Sequence, residues 1–317
     1  AAGLLVPCPS VGQVAQPEQR VSIPPAQFQG MPDLSASGRH LFATWSGAEA
    51  PSTGVGYGYS LDAGGSWTNE TGLPVSPPFN GSLTPTTSCI APSGTVHLAT
   101  DYFGMQSFRG DGASPILWAA PRIALNIYSG AFNGYDLPSI ACDATLGYVY
   151  LCATEGLQNS TYSSTILFTR SLDNGTSWQF PLRISSINCK GSSLVVAADG
   201  TLYVTYVDYA LGQLLLRRST DHGASFLPPV VVADMLDNLA TPPIGWRSPA
   251  DAGITATRVY PYYLAGDFAP NFPALAVDRS PGPTRGNLYL TWAEYAAGVV
   301  SPATSSANDV GNVHSFS

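Results

Sequence analysis

The chain has 317 residues, of which only 11% are charged, and its formal net charge is −8. An acidic chain with a pI near 4.8 lacks the basic patches that nucleic acids and anionic membranes require. No apolar run approaches the roughly 18 residues that span a bilayer. The 32 glycines and 27 prolines favour short strands joined by tight turns, so we predict an all-β fold that uses residues 1–317 as one domain.

Strand-like runs with alternating apolar residues follow one another in groups of four, which we call strands A to D. Four such antiparallel strands make one blade of a β-propeller, so we predict five blades and leave a sixth open. The predicted strands are 31–36, 40–45, 54–59 and 67–75; 86–91, 95–100, 115–120 and 122–128; 137–142, 148–153, 165–169 and 178–184; 192–197, 201–206, 213–218 and 226–233; and 272–277, 287–292 and 312–316.

Three of the predicted C–D turns share the pattern S-x-D-x-G-x-[ST]-aromatic, at residues 60–67, 171–178 and 219–226. An Asp side chain can accept hydrogen bonds from backbone N–H groups further along the turn, and Gly permits a positive φ. The closing aromatic ring can pack on a sheet. We therefore expect a structural role for the pattern residues, which are Ser60, Asp62, Gly64, Trp67, Ser171, Asp173, Gly175, Trp178, Ser219, Asp221, Gly223 and Phe226.

This pattern resembles the Asp-box, or BNR repeat, of sialidase-like β-propellers. The resemblance implies a propeller fold, and it implies turns that lie away from the family's active site. Sialidases also carry an Arg-Ile-Pro motif at the entry of an early A strand, where the Arg binds the substrate carboxylate. The matching stretch here, residues 28–32, reads FQGMP, and Arg109, Arg247 and Arg258 are the candidates that could substitute from loops. The resemblance therefore implies a fold but not sialidase activity.

Four acidic residues follow the predicted B strands, and three of them are followed directly by a tyrosine: Asp101 with Tyr102, Glu155, Asp208 with Tyr209, and Glu294 with Tyr295. All B strands end on the propeller face opposite the repeated turns. One interpretation is a ring of carboxylates that binds a polar, hydroxyl-rich or cationic ligand and includes an acid/base pair. The alternative is solvated strand ends that bind nearby backbone.

The same face would receive the long loops 102–114 and 296–311 and an insert at residues 236–270 between blades four and five. Rigid scaffolds usually carry function on such loops. Aromatic rings stack on sugars and Arg binds carboxylates, so the insert supplies ligand-binding candidates. They are Trp246, Arg247, Arg258, Tyr260, Tyr262 and Tyr263, with Tyr209 and Tyr295 beside them. The alternative is that these side chains only bury the insert.

Five cysteines, at positions 8, 89, 142, 152 and 189, indicate an exported protein. We predict a disulfide between Cys152 and Cys189, and buried thiols at Cys89 and Cys142. If the chain is complete, residues 17–23 should pair beside 312–316 as the outer strand of the last blade and close the ring; a chain cut short is the alternative. Glycosylation at the four N-x-[ST] sites stays open.

The sequence leaves two classes of function. The first is a non-catalytic extracellular module whose loop-rich face binds a glycan, a protein or copies of itself. The second is a glycoside hydrolase that uses the carboxylates of the acidic ring. The four histidines show no metal-ligand spacing, and nucleotide-binding loops are absent from the sequence, so we predict neither a metal nor another cofactor.

Overall fold

The computed structural model describes residues 29–47, 55–71, 73, 85–101, 104–126, 132–157, 164–208, 210–234, 273–294 and 312–316. This part of the chain forms five antiparallel sheets, four with four strands and one with three. Over the same residues we find no helix with the length and apolar character needed to cross a membrane. The predicted all-β propeller of four-stranded blades is confirmed.

Each sheet takes its strands in the order A, B, C, D. Blade one contains β1 Gln29–Ser37, β2 His40–Gly47, β3 Val55–Ser60 and β4 Thr68–Thr71; blade two β5 Thr86–Ile90, β6 Val96–Asp101, β7 Met105–Gly110 and β8 Arg122–Leu125; blade three β9 Phe132–Cys142, β10 Val149–Leu157, β11 Ser164–Ser171 and β12 Leu182–Arg183; blade four β13 Cys189–Val196, β14 Leu202–Asp208, β15 Gln213–Ser219 and β16 Val230–Asp234; and blade five β17 Ala274–Val277, β18 Leu288–Glu294 and β19 Asn312–Phe316.

The predicted C strand of blade two, residues 115–120, is wrong. The C strand is β7, Met105–Gly110, which pairs with β6 from the Asp101–Met105 pair onward. Prolines at 115 and 121 cannot donate to a ladder, and this stretch contributes only an isolated bridge between Trp118 and Gly110 of β7. Residues 111–121 instead form the C–D connection, so most of the loop predicted at 102–114 is strand and turn.

Each pair of neighbouring blades shares its own hydrophobic cluster. Phe42 packs between blades one and two, Leu151 between two and three, Phe168 between three and four, and Trp292 between four and five. All four side chains are at least 94% buried, so the molecule has a row of inter-blade cores. Packing between sheets, with strand faces apolar on both sides, therefore holds the fold together.

A line of hydrogen bonds also joins the A strands. Once in each of blades one to four, an A-strand side chain accepts a hydrogen bond from the backbone N–H of the next A strand. The acceptor and donor pairs are Asp33 with Ser88, Thr87 with Ile140, Ser139 with Leu194, and Ser193 with Leu275. Because these four acceptors hold equivalent positions, they fix the common register used below.

The prediction of buried thiols at Cys89 and Cys142 is wrong, because a disulfide joins these two residues and so connects the A strands of blades two and three. Their Cα atoms are 5.8 Å apart. Both cysteines lie near the A–B turns, at the repeated-turn end of the strands. A cross-link closing a loop of this size stabilises a fold by about 4 kcal/mol.

The predicted bridge between Cys152 and Cys189 is wrong, because both are free buried thiols. The Ser164 hydroxyl donates to the carbonyl of Cys189, and Ser164 pairs with Gly156. Cys189 is therefore level with Gly156, four residues beyond Cys152 along β10. At the rise of an extended strand that offset is about 13 Å, too far for a disulfide.

Candidate functional site

The three repeated turns, residues 60–67, 171–178 and 219–226, share one hydrogen-bond pattern. In the second, the Ser177 N–H and hydroxyl both donate to Asp173, at 2.8 and 2.6 Å, and Ser171 Oγ donates to Asp173 Oδ1 at 2.8 Å. Gly175 N–H donates to Ser171 Oγ at 2.8 Å. The other two turns repeat these bonds. The Asp carboxylate thus organises each turn.

Electrostatics agree with this arrangement. The hydrogen bond from the Ser60 hydroxyl, with those from Ser66, lowers the pKa of Asp62 to about 2. The two bonds from Ser225, with that from Ser219, hold the pKa of Asp221 well below its usual range. These carboxylates stay ionised in the turn and are fully engaged by it, so we assign them no catalytic role.

The repeated turns also connect blades. Trp178 of the third blade donates from Nε1 to Ser107 Oγ of blade two, at 2.7 Å. Phe226 of blade four packs at 4.9 Å on Phe168 of blade three. The contacted residues, Ser107 and Phe168, each lie three residues before the end of the C strand of the preceding blade. In these two turns the closing aromatic ring therefore packs on the previous blade.

Blade two lacks the repeated pattern but keeps this contact. Trp118 donates from Nε1 to the Tyr57 hydroxyl at 2.9 Å, three residues before the end of the C strand of blade one. Its ring also packs edge-on against Phe42, Tyr57 and Phe108. Sequence reasoning missed Trp118 because it lies in a loop of different length, although a Trp after a degraded turn was the available signal.

The acidic residues on the opposite face, which we call the mouth, do not form the uniform ring predicted. Along the B strands, Glu155 and Asp208 lie three residues beyond the partner of the A-strand acceptor, whereas Asp101 lies only two residues beyond it. Glu294 lies three residues beyond the partner of Ala274, the residue at the acceptor position of blade five. Side chains alternate along a strand. Asp101 therefore faces blade three, while Glu155 and Asp208 face the blade before their own.

Glu155 and Asp208 are held by internal contacts. Glu155 Oε2 accepts a hydrogen bond from Thr165 Oγ1 at 3.1 Å and forms an ion pair with Arg183 at 3.0 Å. Asp208 is 97% buried; it accepts from the N–H groups of Ala210 and Leu211 and from the Ser186 hydroxyl. These two residues bind nearby backbone and side chains, as the alternative interpretation expected, but they are largely buried rather than solvated.

Asp101 is different, because it belongs to a half-buried cluster with Asp136 and Lys190. Burial, and then the neighbouring charge of Asp136, raise the pKa of Asp101 to about 6. Asp136 Oδ2 forms an ion pair with Lys190 Nζ at 3.0 Å, with side chains 28% and 11% exposed. Lys190 is the chain's only lysine. We call Asp101, Asp136 and Lys190 the mouth cluster.

The backbone at the mouth cluster is unusual. Leu137 has φ +51°, a conformation that non-glycine residues rarely adopt, and its N–H donates to Asp136 Oδ1 at 2.9 Å. In blade four the equivalent N–H, that of Gly191, instead donates across the junction to Thr154 Oγ1. Asp136 thus bends its own strand, and Asp101 has no hydrogen-bond partner among the described residues. Strained backbone beside an unpaired, partly desolvated acid is typical of functional sites.

The remaining candidates lie outside the described residues. They include the insert at 236–270 with Trp246, Arg247, Arg258, Tyr260, Tyr262 and Tyr263, the tyrosines Tyr102, Tyr209 and Tyr295, the loop 296–311 and the closing strand at 17–23. Arg109 lies in β7 rather than in a mouth loop, and it donates to Thr176 of a repeated turn at 3.0 Å. It is therefore on the wrong face to bind a substrate carboxylate at the mouth. Across the described residues we find no group of three or more acidic, His or Cys side chains that could hold a metal.

Comparison with known proteins supports the fold alone. No family model matches the chain, and neither does a curated protein. Among solved structures, the α-L-arabinofuranosidase of Fusarium graminearum, complexed with arabinobiose, aligns with TM-score 0.53 at 13% identity over 83% of this chain and 74% of its own. The α-L-arabinanase of Penicillium chrysogenum, also complexed with arabinobiose, gives 0.52 at 14% over 85% and 76%.

The sialidase of Trypanosoma rangeli aligns with TM-score 0.49 at 12% identity over 85% of this chain. The chain covers only 44% of that sialidase's length. The two matches with TM-scores above 0.5 support the propeller fold alone, and activity has to be argued from the site.

Proposed function

We propose that the chain is a non-catalytic extracellular binding module whose mouth cluster contacts a glycan or a protein. The cluster offers carboxylate acceptors at Asp101 and Asp136 and an ammonium donor at Lys190 in one partly buried place. Such a set of mixed donors and acceptors suits hydroxyl groups.

The observation that carries the proposal is the engagement of Glu155 and Asp208 in internal bonds. An acid/base pair requires two carboxyls free to exchange protons with substrate. The Arg183 ion pair and the two turn N–H groups instead tie these carboxylates to the fold. This engagement supports a binding role for the mouth cluster over catalysis by Glu155 and Asp208.

The ligand should be neutral and rich in hydroxyls. Two carboxyls face one ammonium in the mouth cluster, and Arg109 lies on the opposite face. A sialic acid carboxylate would meet repulsion from Asp136, and no Arg among the described residues belongs to the mouth cluster. Neutral saccharides, or a protein loop presenting hydroxyls, avoid this cost.

A second candidate is a glycoside hydrolase, which the neighbouring carboxyls Asp101 and Asp136 favour. Asp101 keeps its proton to about pH 6, beside an Asp136 carboxylate that is ion-paired with Lys190. Carboxyls with separated protonation states are the usual acid and base of sugar hydrolysis. Under this candidate Asp101 is the acid and Asp136 the base.

A glycan array combined with turnover assays on aryl glycosides separates the two candidates. We expect binding of neutral glycans without hydrolysis, with binding lost in Asp101→Asn and kept in Asp199→Asn, a turn carboxylate in the A–B turn of blade four. Hydrolysis by the wild type that Asp101→Asn abolishes would establish the second candidate instead. Equal binding by wild type and Asp101→Asn would show that the mouth cluster is the site of neither candidate function.

We also place the protein outside the cell, where disulfides persist. The Cys89–Cys142 bridge supports this location. Self-association through the mouth face belongs to the same proposal, and analytical ultracentrifugation of wild type against Asp101→Asn tests it. A monomer at all concentrations would exclude copies of the chain as the partner.

A further inference from the structure

Two neighbouring blade junctions share one design on the repeated-turn face. His97 of β6 pairs with Arg109, and Tyr150 of β10 pairs with Arg170; each arginine is the penultimate residue of its C strand. His97 and Tyr150 therefore hold the same position in blades two and three. Each is directed towards the repeated turn of the following blade.

At the junction of blades two and three the link is direct. His97 Nε2 and Asn174 Oδ1, from the fourth position of the next turn, are 2.9 Å apart. Burial lowers the pKa of His97 to about 4, so the ring is neutral and donates to the amide oxygen. This junction needs no further group.

At the junction of blades three and four the corresponding link is missing. His222 holds the fourth position of the repeated turn in blade four, and its φ of +55° matches the +56° of Asn174 in blade three. Three buried atoms here have no hydrogen-bond partner: Tyr150 Oη, Asp143 Oδ2 and His222 Nδ1. The residues Tyr150 and Asp143 are 100% and 99% buried. Unpaired polar atoms at this depth are costly, so each requires an explanation.

Two of the three atoms lie beside Gly200, and the third belongs to a side chain that is close to Asp143. A Cβ on Gly200 would lie 3.4 Å from His222 Nδ1 and 3.8 Å from Asp143 Oδ2, and the absence of a side chain there keeps the place clear. Burial, and then the charge and near hydrogen-bond contact of Asp143, raise the pKa of Tyr150, so these two groups are also close. The other Asp143 oxygen is already engaged by Thr145 and Leu146.

We infer that one buried water molecule binds here and completes the junction. Tyr150 donates to the water, which donates to Asp143 Oδ2 and to His222 Nδ1 when the ring proton is on Nε2. These three bonds satisfy all three atoms. A metal cation fits less well, because Arg170 donates to the His222 carbonyl at 2.7 Å and Arg279 interacts electrostatically with Asp143.

A high-resolution crystal structure tests the site directly. We expect a single water peak within hydrogen-bond distance of Tyr150 Oη, Asp143 Oδ2 and His222 Nδ1, and none between His97 and Asn174. A direct bond from Asp143 to Tyr150 or His222 in place of the water, or a metal ion, would overturn the inference.

Oxygen-17 relaxation dispersion of water in solution provides the second readout. We expect Tyr150→Phe and His222→Ala each to lower the slow-water amplitude by the contribution of one molecule. Alanine occurs at the matching position of the first turn, Ala63 with φ +60°, so His222→Ala is compatible with the fold. The control Tyr206→Phe changes a buried tyrosine elsewhere and should leave the amplitude unchanged. Equal amplitudes in all variants would overturn the inference.

Discussion

Aspartate side chains on the two faces of the propeller have pKa values that are shifted in opposite directions. On the repeated-turn face, hydrogen bonds lower the pKa values of Asp62 and Asp221. At the mouth, burial and the charge of Asp136 raise the pKa of Asp101 to about 6. One face uses its carboxylates to stabilise the fold, whereas the other retains a carboxyl that destabilises it when ionised. A cost of this kind is expected where binding requires it.

The largest expected effect concerns the disulfide near the repeated-turn end. Replacing both Cys89 and Cys142 by Ser should lower the free energy of unfolding by about 4 kcal/mol, because the unfolded chain regains loop entropy. Urea unfolding measures this loss. The control Cys152→Ala removes a buried free thiol and should cost only about 1 kcal/mol. Equal unfolding midpoints for the double variant and the wild type would contradict the assignment.

A carboxylate on each face gives the next comparison. Asp221→Ala removes the acceptor of Ser219 and of both Ser225 donors. We expect a loss of about 2 kcal/mol in unfolding free energy at pH 7. Asp101→Asn should be neutral or stabilising at that pH, because it removes a half-buried charge. Urea unfolding of both variants tests the contrast, and a larger loss for Asp101→Asn would reverse it.

The two faces should also respond to pH with opposite sign. The pKa of Asp101 is raised, so its stabilising contribution is complete below about pH 4 and is lost as pH rises through 6, by about 2 kcal/mol. The pKa of Asp221 is lowered, so its contribution is present above about pH 4 and is lost in more acidic solution.

Unfolding free energies from pH 2 to pH 8 measure both windows. The difference in unfolding free energy between wild type and Asp101→Asn should change between pH 4 and pH 6. The corresponding difference for Asp221→Ala should change only below about pH 4. A flat difference for Asp101→Asn across its window would show that its carboxyl is not perturbed.

The smallest effect concerns the arginine that joins blades three and four. Arg170→Lys should lower the unfolding free energy by about 1 kcal/mol, because a single ammonium cannot bind both Gln179 and the His222 carbonyl. Arg218→Lys is the matched control, since Arg218 is exposed at the same strand position in blade four. Equal losses would show that the inter-blade contact contributes nothing.

The fold was predictable because blades repeat, and alternation with turn chemistry identifies each strand locally. The predictions that were wrong concern features that depend on strand register and on contacts between blades. Asp101 looks equivalent to Glu155 in sequence, yet a one-residue difference in register turns it towards another blade. Trp118 and β7 were missed because loop length in blade two conceals the repeat. The Cys89–Cys142 bridge requires the stagger between two A strands, which no local pattern records.

The most direct test of the division between the faces is a binding titration of wild type, Asp101→Asn and Asp221→Ala with a neutral glycan selected on the array. We expect Asp101→Asn to weaken binding at least tenfold, roughly 1.4 kcal/mol, without loss of stability. Asp221→Ala should bind as the wild type does at a temperature where it remains folded. Wild-type affinity in Asp101→Asn, or lost affinity in folded Asp221→Ala, would contradict the account.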